Sequence, residues 1–160
     1  MMPVVRMAQE SDLAFLIEHD RHPEGDAIAH AVTDGRVLVL DDHGTLIGWL
    51  RWTLFWDEHP FLNMIYVLKE HRGIGLGSLL LEVWEREMAE SQYTTVLTST
   101  ASDERSQHLY RRRGYSDAGV LLLPSEVAEL LFSKELTASA PGGDRGEAHE
   151  GQPPHTGSLL

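Results

Sequence analysis

An apolar run, a glycine-rich segment and an amphipathic stretch follow one another without interruption between residues 61 and 91. The run "FLNMIYVL" (61–68) has so little polar content that it predicts a strand covered on both faces of a sheet. Beyond the glycines, apolar residues at 80, 81, 84 and 88 share one stripe at helical spacing, which predicts a helix to about residue 91. A buried strand that leads directly into a helix is typical of folds that layer helices on a sheet.

The remaining segments supply further strands and helices around this unit. The stretch "RVLVLDDHGTLIGWLRWTLFW" (36–56) predicts a hairpin, because "DDHG" carries the residues that tight turns need. Further strands are predicted at 4–8, 94–100, 117–123 and 128–136, and further helices at 10–20, 24–33 and 102–113. The first helix would take Ser11 or Asp12 as its N-cap, and the last would take Ser102 or Asp103 and end at Gly114. This order predicts a mixed α/β (α+β) domain with one central sheet of about six to seven strands and helices on its faces.

Chain length and composition predict one folded domain followed by a tail. A chain of 160 residues is long enough to bury one hydrophobic core. The stretch from Thr137 is rich in glycine, proline and polar residues and shows no periodicity. We therefore expect a folded domain at 1–136 and a disordered Gly/Pro-rich tail at 137–160.

Charge and cysteine content exclude several classes of function. The net charge of −12 makes the chain a poor ligand for nucleic acid, although it could draw cationic small molecules. Nothing approaches a run of about 18 apolar residues, and the N-terminus does not resemble a secretory signal, so no membrane association is expected. The chain has no cysteine, which excludes disulfides and thiolate chemistry and fits a cytoplasmic location.

Three phosphate-binding patterns compete for the glycine segment "HRGIGLGS" (71–78). A P-loop needs a lysine after its last glycine, and Gly77 is followed by Ser78. A dinucleotide-binding turn needs a third glycine where Ser78 stands, and an acidic residue at the end of the next strand, which here reads "LTST". The pattern R-x-x-G-x-G fits, with Arg72, Gly75 and Gly77. In such a loop the glycine N–H groups and the helix N-terminus attract a phosphate, and the arginine adds a charged donor.

At this point the sequence resembles the GNAT acetyltransferase superfamily, whose acetyl-CoA pyrophosphate loop has the form R-x-x-G-x-G. A second motif supports the resemblance: Tyr110, the arginines at 111–113 and the "GY" pair at 114–115 match a helix that follows the fifth strand in these proteins. The resemblance covers nearly all of the folded region and implies a GNAT-like domain at 1–136. It also implies an acyltransferase with acetyl-CoA as donor.

The resemblance implies a set of residues that contact the donor. Backbone groups of Ile65 and Val67 would bind the acetyl carbonyl and pantetheine on a strand splayed from its neighbour, and Tyr110 would protonate the departing thiolate. Asp103 stands where many members carry an asparagine that contacts the cofactor. The full set of expected cofactor-binding residues is Ile65, Val67, Arg72, Gly73, Ile74, Gly75, Leu76, Gly77, Ser78, Asp103 and Tyr110.

The acceptor amine must lose a proton, and a carboxylate or a water held by one usually removes it. Glu58 is taken as this base, while Asp57, His59 and Glu104 are alternatives that no spacing excludes. Trp56 beside Asp57 could form an aromatic and anionic pocket for a cation. The expected acceptor-site residues are Trp56, Asp57, Asn63 and Glu104. The nine histidines show no metal-ligand spacing, so no metal is expected.

The leading hypothesis is an N-acetyltransferase that acts on a primary amine of a small molecule or peptide by direct attack. A non-catalytic acyl-CoA binding or sensing protein on the same fold is the alternative, and a purely structural protein would have no affinity for CoA. Proteins resembling this chain are commonly dimers, so a homodimer is an expectation.

Overall fold

Seven strands form one sheet in the computed structural model, which describes residues 1–137. The strands are β1 (Val4–Met7), β2 (Val37–Asp42), β3 (Thr45–Phe55), β4 (His59–Val67), β5 (Thr95–Ala101), β6 (Ser116–Leu121) and β7 (Glu129–Glu135). Their order across the sheet is β1-β2-β3-β4-β5-β7-β6. Every neighbouring pair is antiparallel except β4 and β5, which are parallel. The predicted mixed sheet is confirmed; from residue 138 on, the predicted tail lies outside the described residues.

Helices cover both faces of the sheet, as predicted. They are α1 (Leu13–His19), α2 (Ala27–Thr33), α3 (Leu76–Glu90) and α4 (Ser106–Arg112). One buried cluster joins α3 and Tyr110 of α4 to strand residues such as Leu50 and Phe132. A second cluster joins Leu16 of α1 and Ile28 of α2 to the opposite face around Trp49. Within the described chain, no helix combines the length and the apolar character needed to cross a membrane.

The β2–β3 hairpin turns at the predicted "DDHG" segment. His43 and Gly44 have φ angles of 53° and 90°, and two successive positive values are the signature of the tight turn that suits a hairpin. The Asp41 carboxylate accepts a hydrogen bond from the Gly44 N–H at 2.6 Å. The turn residues named in the sequence therefore form the turn.

The β3–β4 connection consists of residues 56–58, one residue fewer than the 57–60 that the predicted strands leave. Phe55 pairs with His59, so the two strands extend to a turn of only three residues, 56–58. Trp56 and Asp57 adopt positive φ angles of 56° and 59°, which are uncommon for residues other than glycine. Because strand pairing continues this far, Glu58 stands at the end of a hairpin instead of in a loop over the sheet.

The last helix begins later than predicted. The sequence placed its N-cap at Ser102 or Asp103, but residues 102–105 form a turn and α4 starts at Ser106. The Gln107 amide donates hydrogen bonds of 3.0 Å to the backbone carbonyls of Ser102 and Glu104, which stabilises this turn. The predicted end is confirmed, because Gly114 follows the helix with φ of 89°.

Candidate functional site

The site begins at a gap in the sheet between β4 and β5. These parallel strands pair only at Phe61↔Leu97 and Leu62↔Thr98, and no pair follows. On its other side β4 stays paired with β3, but Arg51 opposes Met64 while the next residue of β3 opposes Leu62. Asn63 is therefore an extra residue in β4, a β-bulge that bends the strand. The splayed strand expected from the resemblance is present.

Two backbone positions of β4 face this gap. The Leu68 N–H donates to the Ile47 carbonyl at 2.8 Å, so residue 68 points its backbone groups toward β3. Directions alternate along an antiparallel strand, so Tyr66 also faces β3 whereas Ile65 and Val67 face away from it. The N–H groups of Ile65 and Val67 thus point into the gap.

A cavity of about 540 Å³ lies beside the glycine segment on the α3 and α4 side. From the expected cofactor set it is lined by Ile65, Val67, Arg72, Gly73, Gly75, Leu76, Gly77 and Ser78. Helix α3 begins at Leu76, where no side chain caps the first turn. The first N–H groups of a helix have no partner within it, so those of Leu76, Gly77 and Ser78 are available beside this cavity.

The three glycines shape the cavity in different ways. Gly73 and Gly75 have φ angles of 83° and 87°, a backbone conformation that other residues rarely adopt. Gly77 has an ordinary helical backbone, and an added Cβ would meet no atom within 4 Å. The space beside Gly77 is therefore open toward the cavity. This open cradle fits an anionic group that approaches the backbone closely.

Two arginines reach the same cavity. Arg72 donates from Nε to the Val67 carbonyl at 2.8 Å, and its guanidinium carbon lies 4.8 Å from the centre of the Tyr66 ring. Arg112, in the last turn of α4, also lines this cavity and forms no ion pair with any described residue. Arg111 is bound to Asp117 instead. The cavity therefore has two guanidinium groups available to phosphates.

A second cavity of about 730 Å³ opens on the other side of the gap. It shares four lining residues with the first cavity: Ile65, Tyr66, Glu104 and Ser106. Of the expected acceptor residues it contains Asn63 and Glu104. The sequence did not identify the other polar lining residues, which are His22, Arg51, Ser99, Thr100, Ser106, Glu126 and Glu129. The "LTST" end of β5 was a usable signal, because strand ends beside a splayed neighbour commonly line sites.

Tyr110 lies in the wall of this second cavity and is only 3% exposed. Burial raises the pKa of Tyr110 to about 12, and the nearby charges of Glu104 and Glu129 add to the increase. The ring packs against Tyr115 and Phe132, with centroids 5.6 and 5.8 Å away. The phenol is thus held in place and keeps its proton well above neutral pH.

Glu104 is the carboxylate common to both cavities. Its Oε2 accepts hydrogen bonds from the hydroxyls of Thr100 at 3.1 Å and Ser106 at 3.3 Å. The described residues give its other oxygen no partner. Glu104 therefore combines a fixed position with a free carboxylate oxygen, which is the arrangement that a base needs.

Five of the expected residues lie outside both cavities. Trp56, Asp57 and Glu58 occupy the β3–β4 turn, where Trp56 is 75% exposed. They are absent from both linings because the strands carry them beyond the gap. Asp103 is exposed in the turn before α4, and Ile74 is 73% exposed beside the glycine loop. The geometry gives no support to a role for Glu58 as base or for a pocket around Trp56.

Comparison of the sequence with protein families gives a match to the acetyltransferase (GNAT) family over residues 4–115. A search of curated proteins finds no match. Among solved structures, a GNAT-family acetyltransferase from Bacillus cereus has a TM-score of 0.71 at 22% identity, covering 86% of this chain and 99% of that one.

Two further solved structures are similar and carry ligands. One is yncA from Salmonella typhimurium with acetyl-CoA, with a TM-score of 0.71 at 17% identity, covering 89% of this chain and 99% of that one. The other is Arabidopsis thaliana Naa50 in complex with the bisubstrate analogue CoA-Ac-MVNAL. It has a TM-score of 0.69 at 15% identity, and the match covers 84% of this chain and 99% of that one. At these identities the likeness shows the shared fold.

Proposed function

The chain belongs to the acetyltransferase (GNAT) family and is an acyltransferase, and on this premise we propose that it transfers the acetyl group of acetyl-CoA to a primary amine by direct attack. The observation that carries the proposal is the meeting of two cavities at the β4–β5 gap. A donor in one cavity and an acceptor in the other would meet beside Tyr110 and Glu104. Direct transfer requires this juxtaposition of reactants.

The α3 side suits the phosphates of acetyl-CoA. The uncapped N-terminus of α3, the open space beside Gly77 and the guanidinium groups of Arg72 and Arg112 all favour an anion there. When bound, acetyl-CoA supplies an activated thioester. The N–H groups of Ile65 and Val67 point into the gap, and we assign them to hold the acetyl carbonyl and the pantetheine arm.

Glu104 is our proposed base, acting directly or through one water, in place of Glu58. Glu104 lines both cavities, whereas Glu58 lies at the end of the β3–β4 hairpin. A hydrogen-bonded group at the gap joins the Glu104 carboxylate to the hydroxyls of Thr100 and Ser106. A carboxylate held in this way can accept the proton that the amine loses as the amide bond forms.

Tyr110 is assigned to the departing sulfur as a hydrogen-bond donor. The pKa of a cysteine-like thiol is about 8.5, whereas the pKa of Tyr110 is about 12, a difference of about 3.5. Complete proton transfer from the phenol to a thiolate would therefore cost about 5 kcal/mol. Donation of a hydrogen bond stabilises the developing negative charge without this cost, and the sulfur can then take its proton from solvent.

Calorimetry with acetyl-CoA tests the donor half of the proposal. The wild-type protein should bind acetyl-CoA, and Arg112→Ala should bind it about tenfold more weakly because one charged hydrogen bond is lost. Arg111→Ala is the matched control, since Arg111 is its neighbour but bonds to Asp117 and Gln107. Absence of any acetyl-CoA binding by the wild-type protein would refute the proposal.

Release of free thiol from acetyl-CoA tests the acceptor half. The panel consists of small aliphatic amines, amino acids and short peptides with free N-termini, each compared with acetyl-CoA alone. Amine-dependent thiol release, together with the N-acetylated product detected by mass spectrometry, is the expected result. Tight acetyl-CoA binding with no turnover on any amine would instead support a binding or sensing protein.

A further inference from the structure

The cavity of about 730 Å³, which we call the acceptor cavity, carries an excess of negative charge. The cavity of about 540 Å³ beside the glycine segment is the donor cavity. Glu104, Glu126 and Glu129 all line it. Arg51 is the only lysine or arginine among the described residues that line this cavity. Its lining therefore differs from that of the donor cavity, which contains Arg72 and Arg112.

The charge of Arg51 is already compensated from beneath the cavity. Asp20 is 3% exposed, and its carboxylate accepts hydrogen bonds from Arg51 Nε at 2.8 Å and from Trp49 Nε1 at 3.2 Å. A second nitrogen of Arg51 lies 3.4 Å from the other carboxylate oxygen. Removing Arg51 from this pair would leave a buried charge uncompensated, which is costly. Arg51 therefore does not neutralise the negative charge of the three glutamates in the cavity.

Two of these carboxylates are fixed on opposite faces of the sheet. Val96 packs in the α3 cluster, so Thr98 and Thr100 share that face of β5 while Ser99 lies on the α1 and α2 face. Thr100 holds Glu104 at 3.1 Å, and Ser99 holds Glu129 Oε1 at 2.7 Å. The cavity thus passes through the gap from one acidic group to another.

Apolar side chains line the path between the two faces. Leu62, Met64 and Ile65 belong to the same cavity wall, and the side chains of Leu62 and Met64 lie on opposite faces because of the bulge at Asn63. Such a wall suits methylene groups. The free oxygen of Glu129 has no partner among the described residues and faces a site otherwise short of cations.

We propose that the acceptor is an aliphatic diamine or polyamine, with one amine at the gap and a second, protonated amine at Glu129 and Glu126. This inference rests on the proposed function. In the reaction the amine nitrogen bonds to the acetyl carbon and loses one proton, the carbon–sulfur bond breaks, and the thiolate sulfur gains one proton. The second ammonium keeps its charge and supplies binding and orientation.

An acceptor that carries a carboxylate would meet like charge at this position. Repulsion by Glu126 and Glu129 opposes binding of an amino acid through its carboxylate, and Arg51 is already paired with Asp20. A simple monoamine would reach the gap but would leave Glu129, on the α1 and α2 face, without a cationic partner. The order of reactivity should therefore be diamine, monoamine, amino acid.

Three acceptors of equal chain length test the inference: 1,4-diaminobutane, butylamine and 4-aminobutyrate. We expect kcat/KM for the diamine to exceed that for butylamine by about tenfold or more, the effect of one charged hydrogen bond. The amino acid should be the poorest of the three. If butylamine or 4-aminobutyrate equals the diamine, the inference is wrong although acetyl transfer stands.

A variant with unchanged shape locates the effect. Glu129→Gln retains a group that can bond to Ser99 but removes the charge, so the ratio of diamine to butylamine kcat/KM should fall toward one. Glu135→Gln, at the exposed end of β7, is the control and should keep the wild-type ratio. An unchanged ratio in Glu129→Gln would overturn the inference. If no amine is acetylated while acetyl-CoA still binds, both the inference and the proposed transferase function fail.

Discussion

Tyr110 illustrates how the surroundings of one residue decide its chemistry. The sequence indicated an ordinary phenol, neutral at pH 7 and able to protonate a thiolate. In the structure the side chain is almost fully buried, and the pKa rises to about 12. We therefore propose that this weaker acid acts by donating a hydrogen bond to charge that develops at the sulfur, a role that requires its proton to stay in place.

Replacing Tyr110 by Phe should lower kcat by about tenfold to a hundredfold and leave the affinity for acetyl-CoA nearly unchanged. In the wild-type protein the hydroxyl would stabilise the transition state only as the carbon–sulfur bond breaks, so its loss should lower kcat. Steady-state kinetics and calorimetry on the same variant separate the two effects. A variant with wild-type kcat would show that the phenol takes no part. Tyr115→Phe is the control, because it removes a neighbouring buried hydroxyl that does not line the cavity.

At the scale of elements, the start of α3 combines two backbone requirements. Gly73 and Gly75 are needed for their positive φ angles, because the chain must turn sharply between β4 and the helix. Gly77 has no such requirement, since its backbone is helical and the space beside it is open. A glycine in a helix normally weakens it, so its place here is best explained by a ligand that lies against the backbone.

The variant Gly77→Ala should therefore bind acetyl-CoA about tenfold more weakly, because the methyl group occupies the cradle. Its free energy of unfolding should be unchanged or higher by up to about 1 kcal/mol, since alanine favours a helix. Calorimetry and urea unfolding measure the two quantities.

Gly44→Ala is the matched control, with the opposite pattern. Gly44 has φ of 90° in the β2–β3 turn and no atom within 4 Å of an added Cβ. Alanine there should lower the free energy of unfolding by about 1–2 kcal/mol and leave binding unchanged. If Gly77→Ala binds acetyl-CoA as tightly as the wild-type protein, the cradle does not contact the ligand.

Local sequence patterns predicted most of the elements but only part of the acceptor-cavity lining, which includes the expected Asn63, Glu104 and Tyr110. Hydrophobic periodicity and turn residues such as Gly44 act over a few positions, so the sheet, the hairpin and α3 could be inferred. Glu129 and Arg51 enter the cavity only because β7, β3 and the β4 bulge bring them there. Glu58 lies outside both cavities for a related reason: β3 and β4 stay paired as far as Phe55 and His59, which places Glu58 in the turn at the end of the hairpin.

At the scale of the whole molecule, the sheet consists of two parts joined at a weak seam. The β1–β4 part and the β5–β7–β6 part share two residue pairs between β4 and β5. A buried network crosses from α3, which packs on the first part, to the second. Glu85 on α3 accepts hydrogen bonds from the Tyr115 hydroxyl at 3.0 Å and from Lys134 Nζ at 2.7 Å. This network helps to hold the two parts together while leaving the β4–β5 gap open.

Two buried tyrosines, Tyr115 in this network and Tyr110 beside it, make stability sensitive to high pH. Burial, followed by the charge and hydrogen bond of Glu85, raises the pKa of Tyr115 well above its usual range, and the pKa of Tyr110 is about 12. An unfolded tyrosine ionises near pH 10, as unperturbed side chains do. Above about pH 10 the native state thus retains protons that the unfolded chain has released. The stabilisation is complete below that pH and is lost as pH rises.

Each of the two tyrosines should lower the free energy of unfolding by about 1 kcal/mol per pH unit between about pH 10.5 and 11.5, because the unfolded chain has released most of its tyrosine protons there and the native state has not. The variant Tyr115→Phe should show a slope shallower by that amount, although its stability at pH 8 is lower because Glu85 has lost a donor. Urea unfolding followed by tryptophan fluorescence from pH 8 to 11.5 gives both slopes. Since the prediction concerns the slope, a variant that is merely less stable does not satisfy it. Equal slopes in the two proteins would show that Tyr115 releases its proton in the native state and that the Glu85 network does not hold it.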